Sequence, residues 1–261
     1  NKLKYCSVEY YYIMKAVVLA AGKGRRIRPV TEDKIPKPMV DLGQGPLLEH
    51  TLSSLTENDI DEIIINLHHK GEKIREYFKD DINGVSINYS EEDNLLGTAG
   101  GIKKIEETLN NKLLLIYGDI LTDLSLDKII NYHERKDSDL TIMVYDGENN
   151  LKESSIIEMD DDNKVQRFIE KPSKTQIEEA DGPPFWTSAA IFVLEPKILD
   201  YIPEGSSDLS GDILPILIEE NIDIYGFPKP NGTYWHEVGN PERYDKAVED
   251  ISEGRIEFKT L

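Results

Sequence analysis

Residues Lys15–Val40 read KAVVLAAGKGRRIRPVTEDKIPKPMV. The apolar run from Ala16 to Ala21 has the length of a buried strand, and it stops at Gly22 and Gly24. Beyond them come Lys23, Arg25, Arg26, Arg28, Lys34 and Lys37 against only Glu32 and Asp33, in a chain whose formal net charge is -20. A buried strand opening into a glycine-rich cationic loop suits a polyanionic ligand. Backbone amides approach closely where no Cβ intervenes, and positive side chains offset phosphate charge. The two common phosphate loops do not fit. Lys23 is followed by Gly24 where a P-loop needs Ser or Thr, and Ile27 stands where the dinucleotide fingerprint needs its third glycine. Pro29, Pro36 and Pro38 forbid a long helix, so the loop is expected to stay extended and to wrap a ligand with side chains as well as backbone.

Downstream of this loop, helical and strand patterns alternate. Pro46 opens an amphipathic helix to about Asn58, Asp61 to Leu67 is a buried strand, Lys70 to Asp80 a helix, and Val85 to Tyr89 an alternating strand. Thr98 to Leu109 reads as a helix, Leu113 to Tyr117 as an apolar strand, Leu126 to Arg135 as a helix and Leu140 to Tyr145 as a strand. The alternation predicts an α/β fold: a Rossmann-like mixed, mainly parallel sheet sandwiched by helices, in a single domain. Ligands bind at the carboxyl ends of such strands, which brings together the loops Gly22 to Pro38, Glu91 to Gly101 and Gly118 to Asp123.

Past Asp146 the rhythm changes. Ser154 to Met159 and Val165 to Glu170 flank Asp160-Asp161-Asp162-Asn163, read as a hairpin turn in preference to a metal site because Asp and Asn favour turns. Phe185 to Leu194, Ile222 to Phe227 and Thr233 to His236 read as strands; Pro196 to Tyr201, Asp212 to Glu220 and Pro241 to Ile251 read as helices. Residues 147–261 are expected to complete the same domain as 14–146, covering its site, and not to form an independent one. Residues 1–13 are read as an extension preceding a natural start at Met14, or else as a native edge strand or subunit contact.

Composition narrows the partners. The 261 residues are 39% hydrophobic, enough for a sizeable core. An excess of twenty negative charges repels nucleic acid and anionic membranes, and no apolar run approaches the roughly 20 residues that span a bilayer. The one cysteine, Cys6, excludes an intramolecular disulfide and suggests a reducing cytoplasm. His50, His68, His69, His133 and His236 show no metal-ligand spacing.

Three further stretches carry candidate chemistry. Leu96-Gly97-Thr98-Ala99-Gly100-Gly101 lies between a strand and a helix; its amides can face a ligand and its glycines can pack against a flat ring, or Thr98 simply caps the helix. Tyr117-Gly118-Asp119 ends a buried strand in a carboxylate, either a turn former or a metal ligand. Phe168-Ile169-Glu170-Lys171-Pro172 ends the hairpin with acid beside base, either an exposed edge ion pair or two groups turned onto one ligand by the break at Pro172.

In order and nearly in register, Gly22-Lys23-Gly24-Arg25-Arg26, Pro29, Thr31, Pro36-Lys37-Pro38-Met39 and Pro46-Leu47-Leu48-Glu49-His50 resemble the signature of the sugar-1-phosphate nucleotidyltransferases. The resemblance covers about Met14 to Ile251 and includes Trp235-His236-Glu237-Val238-Gly239-Asn240-Pro241. It implies transfer of a nucleotidyl group from a nucleoside triphosphate to a sugar 1-phosphate with release of pyrophosphate. Of the members, the mannose-1-phosphate guanylyltransferases look most similar, with thymidylyl or uridylyl transfer to glucose 1-phosphate next. It further implies that Leu19, Ala21, Gly22, Gly24, Gly97, Thr98 and Gly118 border the nucleotide and that Arg26 offsets charge on its β,γ-phosphates. Lys37 would steady the α-phosphate, Lys171 would hold the attacking phosphate, Glu170 and Ser188 would meet the sugar, and Asp119 and Glu237 would hold Mg2+.

The sequence departs from the pattern at Arg25, where Thr is frequent, at Ser188 and Ala190, where Asn and Gly are usual, and at Glu237, where Asp is usual. Those changes keep open a catalytically silent nucleotide-sugar-binding regulator. A glycosyltransferase is disfavoured because Asp119-Ile120-Leu121 lacks the second acid of an Asp-x-Asp element. On its length, the sequence is not expected to carry the left-handed β-helix domain that some relatives have. A homo-oligomer stays open.

Overall fold

The computed structural model describes residues 14–58, 60–180 and 184–261, with backbone alone for 148–150. The expectations for residues 1–13, Cys6 included, lie outside the described residues. In chain order the strands are β1 (Lys15–Leu19), β2 (Glu62–Leu67), β3 (Asp81–Ile82), β4 (Val85–Glu91), β5 (Leu113–Tyr117), β6 (Ile120–Thr122), β7 (Leu140–Asp146), β8 (Ser155–Met159), β9 (Val165–Glu170), β10 (Trp186–Leu194), β11 (Ile224–Pro228) and β12 (Trp235–Glu237). The α-helices are α1 (Arg28–Thr31), α2 (Leu47–Thr56), α3 (Gly71–Phe78), α4 (Gly97–Lys103), α5 (Asp127–Lys136), α6 (Lys174–Glu179), α7 (Leu214–Glu219) and α8 (Pro241–Ser252).

The central sheet runs β11-β7-β10-β5-β1-β2-β4-β3. β5, β1, β2 and β4 are parallel neighbours, with Val18 opposite both Ile65 and Ile116. Their apolar sequences follow from burial on both faces. Ala16, Val18, Ile63, Ile65, Leu114 and Ile116 enter one core layer, while Val17, Ile64, Leu113 and Leu115 enter the other. A third cluster, from Ile27, Val40 and Leu42 to Val238, Ala247 and Ile251, packs the cationic loop against α8.

β10 runs antiparallel between β5 and β7 and breaks register between Ser188 and Phe192, where Ala190 takes a left-handed φ of 57°. The hairpin β8–β9 hangs from it through the pair Trp186–Ile157. Its turn is an Asp turn, as read: Asp160 Oδ1 accepts from the amides of Asp162 and Lys164.

Several expectations need correction. The cationic loop is not extended. It winds into a 3-10 turn at Arg25–Ile27, the single turn α1 with Pro29 near its start, and a second 3-10 turn at Lys37–Met39. Proline's fixed φ suits a first helical turn while forbidding a longer helix, so the prolines punctuate the coil instead of straightening it. The helix expected over Thr98–Leu109 ends at Lys103 and resumes as a 3-10 turn at Glu106–Thr108. The helix expected from Asp212 starts earlier, as a π turn at Leu209–Ile213 capped by Asp208, whose Oδ1 accepts from the amides of Ser210 and Gly211. Pro196–Tyr201 is 3-10. β6, inside the expected loop Gly118 to Asp123, pairs antiparallel with β12. Among the described residues no helix is long and apolar enough to cross a membrane.

Candidate active site

The parallel pair β1–β5 sets Leu19 opposite Tyr117, so the two strands release their chains side by side. Gly118 N donates to Leu19 O at 2.9 Å, tying the cationic loop to the strand end that carries Asp119. A cavity of about 460 Å3 opens there. Leu19, Ala21, Gly22, Gly24, Arg26, Lys37, Gly97, Thr98, Gly118 and Asp119 all border it, so the three loops grouped from the sequence do meet. Lys23 and Arg25 also line it and, among the described residues, have no carboxylate partner; they leave positive charge open to a ligand.

The glycines of the Gly97–Gly101 loop serve a different purpose from the one expected. A Cβ on Gly97 or Gly100 would run into the carbonyls of Ser207 or Gly205, and one on Gly101 would meet Asn66 and Glu92. Gly97 also needs its φ of 74°. The amides of Ala99 and Gly100 both donate to Ser207 O, at 3.1 and 3.2 Å, instead of facing a ligand. Thr98 is not the helix cap. Its hydroxyl donates to Asp208 Oδ2 at 2.9 Å and accepts from Leu209 N at 2.7 Å, locking this loop to the turn before α7.

Beneath the cavity lies a buried polar chain. Asn66 Oδ1 accepts from the amides of Ala20 and Ala21 at 2.6 and 3.2 Å, Asn66 Nδ2 donates to Glu92 Oε1 at 2.8 Å, and Glu92 Oε2 accepts from Leu96 N at 2.9 Å. Asn66 and Glu92 therefore hold the mouths of β1, β2 and β4 in fixed relation. The sequence reading passed over both. Asn66 had a legible signal, a polar residue inside the apolar run Ile63-Ile64-Ile65-Asn66-Leu67; Glu92 had none.

The remaining site residues arrive from far along the chain. Pairing of β12 with β6 sets Glu237 opposite Ile120, and Val238 N donates to Asp119 O at 2.8 Å. Glu237 thereby reaches the first strand edge: Oε1 lies 3.3 Å from Arg26 Nη2 and 3.9 Å from Lys37 Nζ, while Oε2 accepts from Arg243 Nη1. Lys37 Nζ donates to Asp119 Oδ2. Asp119 Oδ1 is buried and, among the described residues, accepts no hydrogen bond. The long Glu237 side chain folds back over Gly239, where a Cβ would collide with Oε1.

A second cavity, about 280 Å3, adjoins the first and shares Arg26, Tyr117 and Asp119 with it. Glu170, Lys171, Ser188, Ala190, Glu237 and Arg243 line it. Lys171 takes a left-handed φ of 47°, which ends β9 and turns its side chain to the cavity shared with Glu170; the two heads are 3.4 Å apart. Burial pushes the Glu170 carboxyl above the ordinary carboxylate range, against the pull of Lys171. The Ser188 hydroxyl accepts from Ala190 N at 3.2 Å and so braces the β10 bulge. One wall is the ring pair Tyr145–Trp235, centroids 4.3 Å apart.

A mainly parallel α/β sheet with a cationic loop at its carboxyl edge, opening onto a second charged cavity, defines a Rossmann-like protein with two adjoining charged cavities at one sheet edge. The chain belongs to the Nucleotidyl transferase family, which matches residues 15–254. A UTP–glucose-1-phosphate uridylyltransferase from Synechocystis sp. is 36% identical over 254 residues, covering 91% of this chain and 63% of its own. A mannose-1-phosphate guanylyltransferase from Mycobacterium tuberculosis is 30% identical over 244 residues, covering 92% of this chain and 65% of its own. The chain thus spans just under two thirds of these relatives' length. Among solved structures, HddC from Yersinia pseudotuberculosis complexed with GMP-PN is 28% identical, with TM-score 0.72 over 92% of this chain and 99% of that one. At 20% identity and TM-score 0.74, an inositol-1-phosphate CTP transferase from T. maritima shares the fold, covering 93% of this chain and 98% of its own.

Proposed function

We propose that this chain transfers a nucleotidyl group from a nucleoside triphosphate to a sugar 1-phosphate, as a mannose-1-phosphate guanylyltransferase. The observation that carries the reading is that Arg26 and Asp119 border both cavities, with Lys37 lining the first and Lys171 and Glu237 the second. The sugar phosphate oxygen attacks the α-phosphorus, the new O–P bond forms as the bond to the bridging oxygen breaks, and pyrophosphate leaves with that electron pair. Two mutually repelling anions must be aligned and neutralised for this, which cations set on a rigid sheet edge supply. Arg26, aided by Lys23 and Arg25, offsets the β,γ-phosphates. Lys37 leaves Asp119 for the α-phosphate, Lys171 holds the attacking phosphate, and Glu170 and Ser188 meet the sugar hydroxyls.

Asp119 and Glu237 would hold Mg2+. The unpartnered, buried Asp119 Oδ1 fits that role, and two carboxylates suffice for a cation that draws its other ligands from phosphate and water. When bound, the ion supplies charge neutralisation and alignment between the two phosphates. The division of labour follows the cavities: residues 14–146 serve the nucleotide and 147–261 most of the acceptor.

Guanine is supported by the guanine-nucleotide analogue named for the HddC structure. Uridylyl transfer to glucose 1-phosphate is the second reading, favoured by the 36% identical Synechocystis relative. The setting proposed is the cytoplasm, in keeping with one cysteine in 261 residues. Pyrophosphate release, measured over a matrix of GTP, UTP, dTTP and CTP with mannose and glucose 1-phosphates, tests all of this. Release with GTP and mannose 1-phosphate is expected. None from any pair would leave a silent binder, and consumption of the nucleotide sugar without pyrophosphate would mean a glycosyltransferase.

A further inference from the structure

The second cavity has a charge problem that the residues assigned so far do not solve. Asp119, Glu153, Glu170 and Glu237 line it, against Arg26, Lys171 and Arg243. Lys171 is 70% exposed and faces Glu170, while Arg26 is 59% exposed, lies 4.0 Å from Glu153 and is shared with the nucleotide cavity. A phosphate dianion brought between these two alone would meet four carboxylates and only well-screened, already engaged cations.

Arg243 differs from both. Its side chain is only 25% exposed. Its backbone is pinned at both ends in the first turn of α8: the amide donates to Asn240 Oδ1 at 2.9 Å, and the carbonyl accepts from His236 Nε2 at 2.8 Å. Nη1 bonds Glu237, but Nε and Nη2 find no partner among the described residues. A guanidinium held from below, with one nitrogen used and a planar fork to spare, is preorganised for two-point contact with a phosphate.

We propose that Arg243 is a further substrate-binding residue, the sheltered cation that receives the phosphate of the sugar 1-phosphate in the second cavity. The proposal rests on the acceptor reading of that cavity. Because Arg243 also touches Glu237, its loss could act indirectly through a divalent ion; a direct contact is separated from that route by removing the ion.

The test is calorimetric binding of mannose and glucose 1-phosphates, of the unphosphorylated hexoses and of GTP and UTP, in EDTA and in Mg2+, to wild type, Arg243→Gln and Arg243→Lys. With Arg243→Gln, affinity for the phosphorylated sugar should fall about 10- to 100-fold in both buffers, the loss expected for a charge-assisted contact. Affinity for the free hexose and the triphosphate should stay within about twofold. Arg243→Lys should recover part of the loss, since it restores charge but not the fork. Unchanged hexose 1-phosphate binding in EDTA, or a loss confined to Mg2+ buffer, overturns the proposal in favour of a role through Glu237. Wild-type protein that binds no hexose 1-phosphate overturns the acceptor reading itself, and this role falls with it.

Discussion

Arg26 stands between Glu237 at 3.3 Å and Glu153 at 4.0 Å, at the one place where both cavities touch it. Its side chain is more than half exposed, so truncation removes little packing and its ion pairs contribute little to stability. Arg26→Ala should therefore lower pyrophosphate release on the order of 100-fold or more, the cost of one lost phosphate contact, while the melting curve stays in place. Near-normal turnover in the folded variant would exclude the role. Ala190 makes the opposite kind of prediction. With φ at 57° it carries a Cβ in the left-handed region, where glycine is unstrained. Ala190→Gly should raise the urea midpoint, a gain of about 1 kcal/mol, because relief of the strain exceeds glycine's entropy cost in a bulge that Ser188 already braces. A lower midpoint would show that the Ala190 methyl packs well enough to outweigh its backbone.

Between elements, the decisive joint is the turn from β12 to α8. Glu237 has to fold over Gly239 for its carboxylate to lie near Asp119, because glutamate is one methylene longer than aspartate. Gly239→Ala places a methyl where Oε1 lies and should expel the carboxylate from the rim. The expected result is a rise of about tenfold or more in the Mg2+ concentration needed for half-maximal turnover, with a shift in melting temperature of only about 2 °C or less, since the displaced group is polar and partly exposed. Metal titrations of activity beside a thermal melt would check it; an unchanged Mg2+ requirement would remove Glu237 from the metal site. The Gly97–Gly101 loop shows the other use of glycine at a joint. There the small residues let α4 lie against the backbone of residues 205–207, and the first cavity gets its wall from that packing.

For the whole molecule, pH reports on the core. His50 is fully buried between α2 and β6, with Nε2 2.8 Å from Thr122 O and Nδ1 accepting from Lys259 N at 3.0 Å. His133 is buried between Thr141 and Glu195. Burial holds both imidazoles below their usual 6.5, despite opposing pulls from the Thr122 carbonyl and from Glu195. Depressed in the fold and ordinary when unfolded, they stay neutral in the native state while the unfolded chain takes up protons. Stability is thus fully present above pH 6.5 and lost as pH falls below it. Glu170, raised by burial, works in the opposite sense, but as one carboxylate against three imidazoles, since burial lowers His236 as well. Urea midpoints should be lower at pH 5.5 than at pH 7.5. Equal midpoints would mean that the fold does not hold these histidines neutral.

What the sequence determined by itself was whatever short-range pattern dictates. Apolar runs ending at Gly22 and Gly118 gave parallel strands with the cationic loop and Asp119 at one edge, and Pro172 marked the break that follows Glu170 and Lys171. The winding of the cationic loop and the early end of α4 were not legible, because they depend on what Ile27 and Gly100 pack against. Only the tertiary structure decided that Glu237 meets Arg26 across 211 residues, that Asn66 and Glu92 tie three strand mouths together, and that Arg243 is sheltered beside the second cavity. Such pairings are set by how distant strands register, β12 on β6 above all. A residue's chemical type is written locally, but its neighbours come from the closure of the whole sheet.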